Sequence, residues 1–237
     1  MDWTRYDAAL FDLDGVLTPT AVVHMRAWSE MFNAFLVGRG ITKPYTDEDY
    51  FAYVDGKPRY DGVATFLASR GIILPQGEPT DPPGTETVCS LGNSKNDAFR
   101  TVLERDGVEP YAGSVQLLDH LAARGTRVAV VSSSQNARPV LAAAGLLERF
   151  PVVVDGLVAR AEGLPGKPAP DTFLAAAEQL GVPRGRAVVL EDAESGVAAG
   201  RAGDFGLVVG VDRGAGVDRL TEAGADLVVA DLAELTR

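Results

Sequence analysis

The sequence Ala-Ala-Leu-Phe-Asp at residues 8–12 is a short apolar run that ends in an acid. Runs of the same kind recur along the chain at 127–131, 186–190 and 206–211, with weaker examples at 151–154 and 226–229. They are continuous and rich in valine, without regular polar alternation. That pattern is typical of strands buried on both faces of a parallel sheet.

Helical patterns lie between these runs. Residues 114–124 place apolar side chains on one face, and similar segments follow at 135–145 and 170–181. The last two stop at Gly145 and Gly181, and glycine is the residue that most readily ends a helix. Because strands and helices alternate, the sequence predicts an α/β fold with a doubly wound parallel sheet.

The section from about Thr20 to about Val108 breaks this alternation. It contains an amphipathic helical pattern at 21–38 and further helical patterns at 46–54, 59–70 and 94–105. Residues 71–93 hold four prolines and four glycines, which predicts a loop that includes Cys89. We therefore expect an all-helical cap domain (20–108) inserted into an α/β core (1–19 and 109–237). An insertion joined by two connections is suited to act as a lid.

Composition excludes several classes of protein. Apolar residues make up 46% of the 237 residues, enough for a buried core, and the formal charge is 22 − 33 = −11. A surface this acidic repels nucleic acid and anionic lipid, and we expect neither as a partner. The single cysteine excludes an internal disulfide and suits the cytoplasm, and no apolar run reaches the length of a membrane span. We expect a cytoplasmic monomer.

Polar residues follow three of the predicted strands. Asp12 and Asp14 end the first, Ser132 follows the second, and Glu191 with Asp192 follows the fourth. Ligands of an open parallel sheet bind beyond the carboxyl ends of its strands, so these side chains should converge. Lys167, in the sequence Gly-Lys-Pro-Ala-Pro at 166–170, supplies a cation in a proline-restricted loop.

The residue types point to phosphoryl transfer. Asp12, Asp14 and Asp192 offer hard oxygen ligands for Mg²⁺, while Lys167 and Ser132 can bind phosphoryl oxygens. A carboxylate held in line can attack phosphorus and form an aspartyl phosphate, with Asp14 as acid and then as base. Each of these features has a structural explanation when it is taken alone. Asp-x-Asp is common in turns, Ser134 could cap a helix, and the Lys-Pro pair could do no more than shape a loop. Together they favour a catalytic site.

These motifs resemble those of the haloacid dehalogenase superfamily of phosphotransferases, in order and spacing. The resemblance rests on the sequences Phe-Asp-Leu-Asp-Gly-Val at 11–16, Ser132, Gly-Lys-Pro at 166–168 and Glu-Asp at 191–192. It implies that Asp12 is the nucleophile, Asp14 the general acid and base, and Ser132 and Lys167 the phosphate binders. It also implies a metal held by Asp12, Asp192 and the main-chain carbonyl of Asp14. Glu191 would be a ligand or a supporting partner.

Within the superfamily the chain is most similar to the β-phosphoglucomutase subfamily. The similarity is carried by the sequences Thr-Pro-Thr-Ala at 18–21, Val-Asp-Gly-Lys-Pro-Arg at 54–59, Lys-Asn-Asp at 95–97 and Ser-Ser-Ser-Gln-Asn at 132–136. It implies that Arg59 and Lys95 hold the phosphate that is not being transferred and that His24 helps to activate the sugar hydroxyl. The implied remaining substrate contacts are Thr20, Gly56, Ser134 and Asn136. Pro19, Ala193 and the long 71–93 loop depart from the subfamily pattern.

The resemblance predicts a Mg²⁺-dependent isomerase of carbohydrate metabolism that interconverts β-glucose 1-phosphate and glucose 6-phosphate. The route would pass through an aspartyl phosphate and a bisphosphate. Two other functions stay open: a sugar-phosphate phosphatase (a hydrolase) on the same scaffold, and an inactive module that senses a sugar phosphate. For the cap residues, burial of His24 in the core and solvation of Arg59 and Lys95 are the structural alternatives.

Overall fold

The computed structural model describes residues 1–236, without the side chains of Ala21 and Val102. The chain divides into two compact units, which are described separately. Unit 1 joins Met1–Pro19 to Val108–Arg237, and unit 2 comprises Thr20–Gly107. This division lies within one residue of the boundary that the sequence predicts.

Unit 1 is built on one sheet of six described strands, and all of their pairings are parallel. The spatial order is β3-β2-β1-β4-β5-β6, so β1 lies in the middle. The strands are β1 (Ala8–Phe11), β2 (Arg127–Val131), β3 (Val152–Val154), β4 (Ala187–Glu191), β5 (Leu207–Val211) and β6 (Leu227–Val229). Each apolar run of the sequence forms a strand, which confirms the predicted parallel α/β fold.

Unit 2 contains four described helices: α1 (Thr20–Gly38), α2 (Asp47–Tyr53), α3 (Arg59–Ser69) and α4 (Val88–Asp106). Their apolar faces meet in an aromatic core in which Phe32 contacts Trp28, Tyr45 and Phe66. All regular elements described in this unit are helices, as predicted for the insertion. None of the helices that the structure describes is both long and apolar enough to cross a bilayer.

The predicted loop at 71–93 is too long by six residues, because α4 begins at Val88. Thr87 accepts a hydrogen bond from the Ser90 backbone, and the Ser90 side chain accepts one from the Thr87 backbone. This capping box satisfies backbone groups that would otherwise lack partners. Cys89 therefore lies in a helix, where it is buried, and not in the loop.

The helices of unit 1 connect successive strands. They are α5 (Ala112–Arg124), α6 (Ala137–Ala143), α7 (Gly156–Glu162), α8 (Asp171–Leu180), α9 (Glu194–Ala202) and α10 (Val217–Ala223). The first, second and fourth of these match predicted helical segments. The other three are short helices of seven to nine residues and were not predicted from the sequence. In α9, Gly200 lies close enough to the sheet that an added Cβ would be 3.1 Å from Val189 and Val208.

Candidate active site

The register of the three central strands brings their polar ends together. Phe11 is opposite Val130 on one side and Leu190 on the other. One residue further, Asp12 therefore lies level with Val131 and Glu191. Glu191 is the last residue of β4, not the first after it as the sequence suggested. Asp12 and Ser132 directly follow β1 and β2.

Lys167 ties these strand ends together. Its ammonium group donates to Asp12 Oδ1 at 2.5 Å, to Glu191 Oε1 at 2.6 Å and to the carbonyl of Val131 at 3.0 Å. An ammonium group has three protons, so all of its donors are used. The Lys167 side chain is 1% exposed. A buried lysine with two carboxylate partners is held in place and stays charged.

Electrostatics at the site indicate a shortage of positive charge. Burial raises the pKa of Asp12 well above its usual range, and the charges of Glu191 and Asp14 act in the same direction while Lys167 opposes them. Burial alone would lower the pKa of Lys167, but Asp12 and Glu191 outweigh it and the pKa of Lys167 is raised. One lysine therefore faces several carboxylates, and a bound cation would lower the cost of ionising Asp12.

Both carboxylate oxygens of Glu191 accept hydrogen bonds, and one of these bonds comes from Lys167. Its Oε1 accepts from Lys167, and its Oε2 accepts from the backbone of Ala193 at 2.9 Å. The side chain is 1% exposed and lies against Gly196. Because both oxygens already have partners, the contacts favour a supporting role for Glu191. This is the second of the two roles that the resemblance implies.

The carboxylates can also hold a metal ion. One oxygen each from Asp12, Glu191 and Asp192 lies within 4.8 Å of the others. Hard, anionic carboxylate oxygens with too little neighbouring positive charge fit a divalent cation. The Asp192 carboxylate rests on Gly15, where an added Cβ would be 1.8 Å from Oδ2. The described cluster does not include the Asp14 carboxylate.

The loop after β2 is shaped by serine side chains. Ser132 Oγ accepts from the backbone of Ser134, and Ser134 Oγ accepts from the backbone of Asn136, each at 3.1 Å. Ser132 and Asn136 are buried, and Ser134 is half-buried. The Ser134 side chain thus bonds the backbone two residues ahead of it, within the loop. Among the described contacts, no side chain caps the start of α6. These bonds fix the loop that begins at Ser132, directly after Val131, whose carbonyl accepts a hydrogen bond from Lys167.

In unit 2, Lys95 and His24 form a buried polar pair. The Lys95 ammonium group contacts His24 Nδ1, and the His24 ring stacks on Phe99 at 3.9 Å. Lys95 lies 4.9 Å from the ring centre of Trp28 and is 4% exposed. Solvation of Lys95, the structural alternative, is therefore wrong. His24 is 9% exposed, so it is both a packed residue and a partner of Lys95.

Arg59 belongs to a second polar cluster of unit 2, between the start of α3 and the first half of α4. It donates to Asn96 Oδ1 at 2.7 Å and to Asn93 Oδ1 at 3.3 Å. Asn93 also accepts from the Tyr60 hydroxyl at 2.9 Å and donates to the carbonyl of Asp81. Arg59 is therefore oriented by two asparagines, although its side chain is only half-buried.

The last two predicted substrate residues of unit 2 are Gly56, in the connection between two helices, and Thr20, the first residue of α1. Gly56 has a φ of +67° between α2 and α3, a conformation that glycine adopts most readily. Thr20 begins α1 and is buried. With these, every predicted site residue has a described position, five in unit 2 and the rest in unit 1.

Comparison with known proteins agrees with this geometry. The family model of the haloacid dehalogenase-like hydrolases matches residues 6–204. The chain belongs to this family. It is 52% identical over 237 residues to a β-phosphoglucomutase of Mycobacterium tuberculosis, with 96% of this chain and 90% of the relative covered. This identity places the chain in the β-phosphoglucomutase-like subfamily, whose members are phosphotransferases.

Two further similarities, one in sequence and one in structure, agree with the family. A fructose-1-phosphate phosphatase of Escherichia coli is 31% identical, with 87% of this chain and 97% of the relative covered. The crystal structure of a β-phosphoglucomutase from Clostridium difficile superposes with a TM-score of 0.77 at 23% identity, covering 97% and 93% of the two chains. The second similarity shows the fold alone.

Gly196→Ala tests how tightly the Glu191 support is packed. An added Cβ would be 1.7 Å from Glu191 Oε1, so the glutamate must move and its bond to Lys167 must break. We expect a loss of about 2–3 kcal/mol in unfolding free energy, as overpacked cores show, and at least a tenfold loss of turnover, because misplaced groups react slowly. Urea unfolding and steady-state assays measure the two effects.

Gly185→Ala is the matched control for that variant. A Cβ at Gly185 would meet nothing within 4 Å, so stability and turnover should stay at the wild-type level. If Gly196→Ala behaved like Gly185→Ala, Glu191 would have room to move and the described packing would be wrong.

Several residues of the site were not assigned a role from the sequence. Asn93 and Asn96 orient Arg59, and Arg213 contacts the turn that carries Asp14. The asparagines lie three residues apart on α4, a spacing that places them on one helix face. That spacing could have marked them as neighbours, but not as partners of Arg59.

Proposed function

We propose that this protein is a Mg²⁺-dependent phosphosugar mutase that interconverts β-glucose 1-phosphate and glucose 6-phosphate. The observation that carries the proposal is the Asp12–Lys167–Glu191 arrangement beside Asp192, in a chain 52% identical to a β-phosphoglucomutase. The substrate would be a phosphorylated sugar. A second anion site, for the phosphate that is not transferred, would be formed in unit 2 by Arg59 and Lys95, and His24 would help to activate the sugar hydroxyl.

Each step follows from groups of unit 1. Asp12 attacks phosphorus, so an Asp12 oxygen–phosphorus bond forms while the bond from phosphorus to the sugar oxygen breaks. Asp14 gives its proton to the departing sugar oxygen, and in the reverse direction removes a proton from the attacking hydroxyl. Lys167 and Ser132 bind the phosphoryl oxygens and offset their growing charge. Bound Mg²⁺ would reduce the repulsion between the phosphate and the Asp12 carboxylate.

The proposed metal ligands are Asp12, Asp192 and the main-chain carbonyl of Asp14, with Glu191 supporting Lys167. The remaining proposed substrate contacts are Thr20, Gly56, Ser134 and Asn136. A monomer in the cytoplasm remains our expectation for the working form of the enzyme, and the buried Cys89 is consistent with a reducing compartment.

A coupled assay tests the mutase. Glucose 6-phosphate should form from β-glucose 1-phosphate, and only after a catalytic amount of glucose 1,6-bisphosphate has been added. The bisphosphate is required because it delivers the first phosphoryl group to Asp12. Release of inorganic phosphate at a comparable rate would instead support the phosphatase, which the similarity to a fructose-1-phosphate phosphatase keeps as the second candidate.

Magnesium binding has its own prediction. The native protein at Mg²⁺ concentrations of about 100 times the dissociation constant should be about 2.7 kcal/mol more stable, which raises the melting temperature by roughly 5–10 °C for a chain of this size. Asp192→Asn should remove most of the shift, because one anionic ligand is lost. The exposed Asp218→Asn should keep it. An equal shift in both variants would place the bound ion elsewhere.

A further inference from the structure

The turn after β1, which carries Asp14, is held by hydrogen bonds to its backbone carbonyls. Three consecutive carbonyls accept hydrogen bonds from distant parts of unit 1. Gly15 accepts from Arg213 Nε at 2.9 Å, Val16 from Ser114 Oγ at 2.7 Å, and Leu17 from the backbone of Tyr111 at 3.0 Å. Loop carbonyls commonly face water, so a run of three protein partners indicates a turn with a defined position.

Arg213 is the charged member of this set. It lies two residues after β5 and donates a second hydrogen bond, from Nη1, to the carbonyl of Ala230 at 3.0 Å. Its guanidinium carbon is 3.9 Å from the centre of the Tyr111 ring. A planar guanidinium with two carbonyl acceptors and an aromatic face has one favourable orientation. Arg213 is thus fixed by the segment after β6, by Tyr111 and by the turn itself.

Gly15 is confined from the other side by the metal-binding cluster. The Asp192 carboxylate lies against its Cα, where an added Cβ would be 1.8 Å from Oδ2. The same residue has a φ of +84° and donates from its backbone to the carbonyl of Thr18 at 2.8 Å. Gly15 is therefore held between Asp192 and Arg213, and a shift of Gly15 would move the preceding residue, Asp14.

We propose that Arg213, stacked on Tyr111, is a positioning residue that holds Asp14 in place for proton transfer. The inference rests on the proposed role of Asp14 as general acid and base. A displacement of about 1 Å at a reacting group can cost roughly 100-fold in rate, and general acid–base catalysis contributes about 10²–10⁴-fold. The loss of Arg213 should therefore affect only steps in which a proton is transferred.

Two phosphoryl donors separate proton transfer from the rest of the chemistry. Glucose 1,6-bisphosphate, which delivers the phosphoryl group to Asp12 in the proposed reaction, has a sugar oxygen as its leaving group, and this oxygen needs a proton. Acetyl phosphate releases acetate, which needs none. Arg213→Ala should lower kcat of the mutase reaction primed with this bisphosphate by about 100-fold, with little change in KM. Phosphorylation of Asp12 by acetyl phosphate, followed by intact-protein mass, should stay within about threefold of wild type.

Three further variants complete the test. Arg213→Lys keeps one donor and the charge and should recover part of the lost kcat. Tyr111→Leu removes the aromatic face but keeps the backbone donor, and should show the same selective loss to a smaller extent, about tenfold. Arg184→Ala, an exposed arginine before β4, should match wild type with both donors. Melting temperatures establish that each variant is folded, and Tyr111→Leu serves if Arg213→Ala is not.

The outcomes distinguish the inference from the function on which it rests. An equal loss with both donors would show that Arg213 supports the whole site, and an unchanged kcat would show that Asp14 does not depend on it. Either result overturns the inference while leaving the proposed function intact. If wild-type protein accepted no phosphoryl group on Asp12 from either donor, the proposed function itself would fail.

Discussion

Asp12→Asn should abolish phosphoryl transfer, with a loss of about four orders of magnitude or more in turnover, because removal of a nucleophile stops the covalent route. The variant should also remain unmodified after incubation with acetyl phosphate, as measured by intact-protein mass. Asparagine has nearly the same shape as aspartate, and its Oδ1 can still accept from Lys167, which keeps Glu191 as a partner.

Stability should respond little to this change. Burial raises the pKa of Asp12, although Lys167 opposes this, so the ionised carboxylate is costly when no metal ion is bound. Replacing it by a neutral amide should leave the unfolding free energy within about 1 kcal/mol of wild type. A folded but inactive variant is therefore the expected result, and circular dichroism with urea titration checks it.

Asp119→Asn is the control for Asp12→Asn. Asp119 is 61% exposed and pairs with Arg149 on the surface, so the change should affect neither turnover nor phosphorylation. If Asp12→Asn kept turnover within about tenfold of wild type, Asp12 would not be the nucleophile. If wild type itself lacked turnover and Asp12→Asn still bound the sugar phosphate, the sensing module would be favoured.

Lys167→Met should have the largest effect on stability. Methionine keeps the length of the side chain but leaves the buried Asp12 and Glu191 carboxylates without their cation. Breaking a buried ion pair costs about 3–5 kcal/mol, which corresponds to a melting temperature lower by roughly 6–20 °C. Turnover should fall by at least about 1000-fold, since phosphoryl charge is no longer offset.

A second change separates charge from packing in that result. Lys167→Met with Glu191→Gln removes one of the stranded charges, and the new amide oxygen can still accept from the backbone of Ala193. The double variant should recover part of the lost stability but none of the turnover. The exposed Lys43→Met should leave both at wild-type levels. A double variant no more stable than Lys167→Met would mean that packing, and not the unpaired carboxylates, sets the loss.

Local sequence patterns predicted most of the core. Each of the apolar runs forms a strand, because a continuous apolar segment is buried on both faces only when it lies between two apolar layers. The chemistry-bearing residues at strand ends followed from the same rule, because parallel strands end at one edge. Patterns failed where the local signal was weak, as in the short α7 and α10, and at the start of α4, where Ser90 takes the place of the usual Glu or Gln in the capping box.

The sequence by itself determined the type of chemistry: two aspartates on one strand end, a serine, a proline-restricted lysine and an acidic pair. Only the tertiary structure decided how these groups are held. Lys167 meets Glu191 across 24 residues, and Arg213 meets Gly15 across 198. Such contacts depend on strand order and register, which no local pattern encodes, because they arise only when distant segments pack into the same sheet.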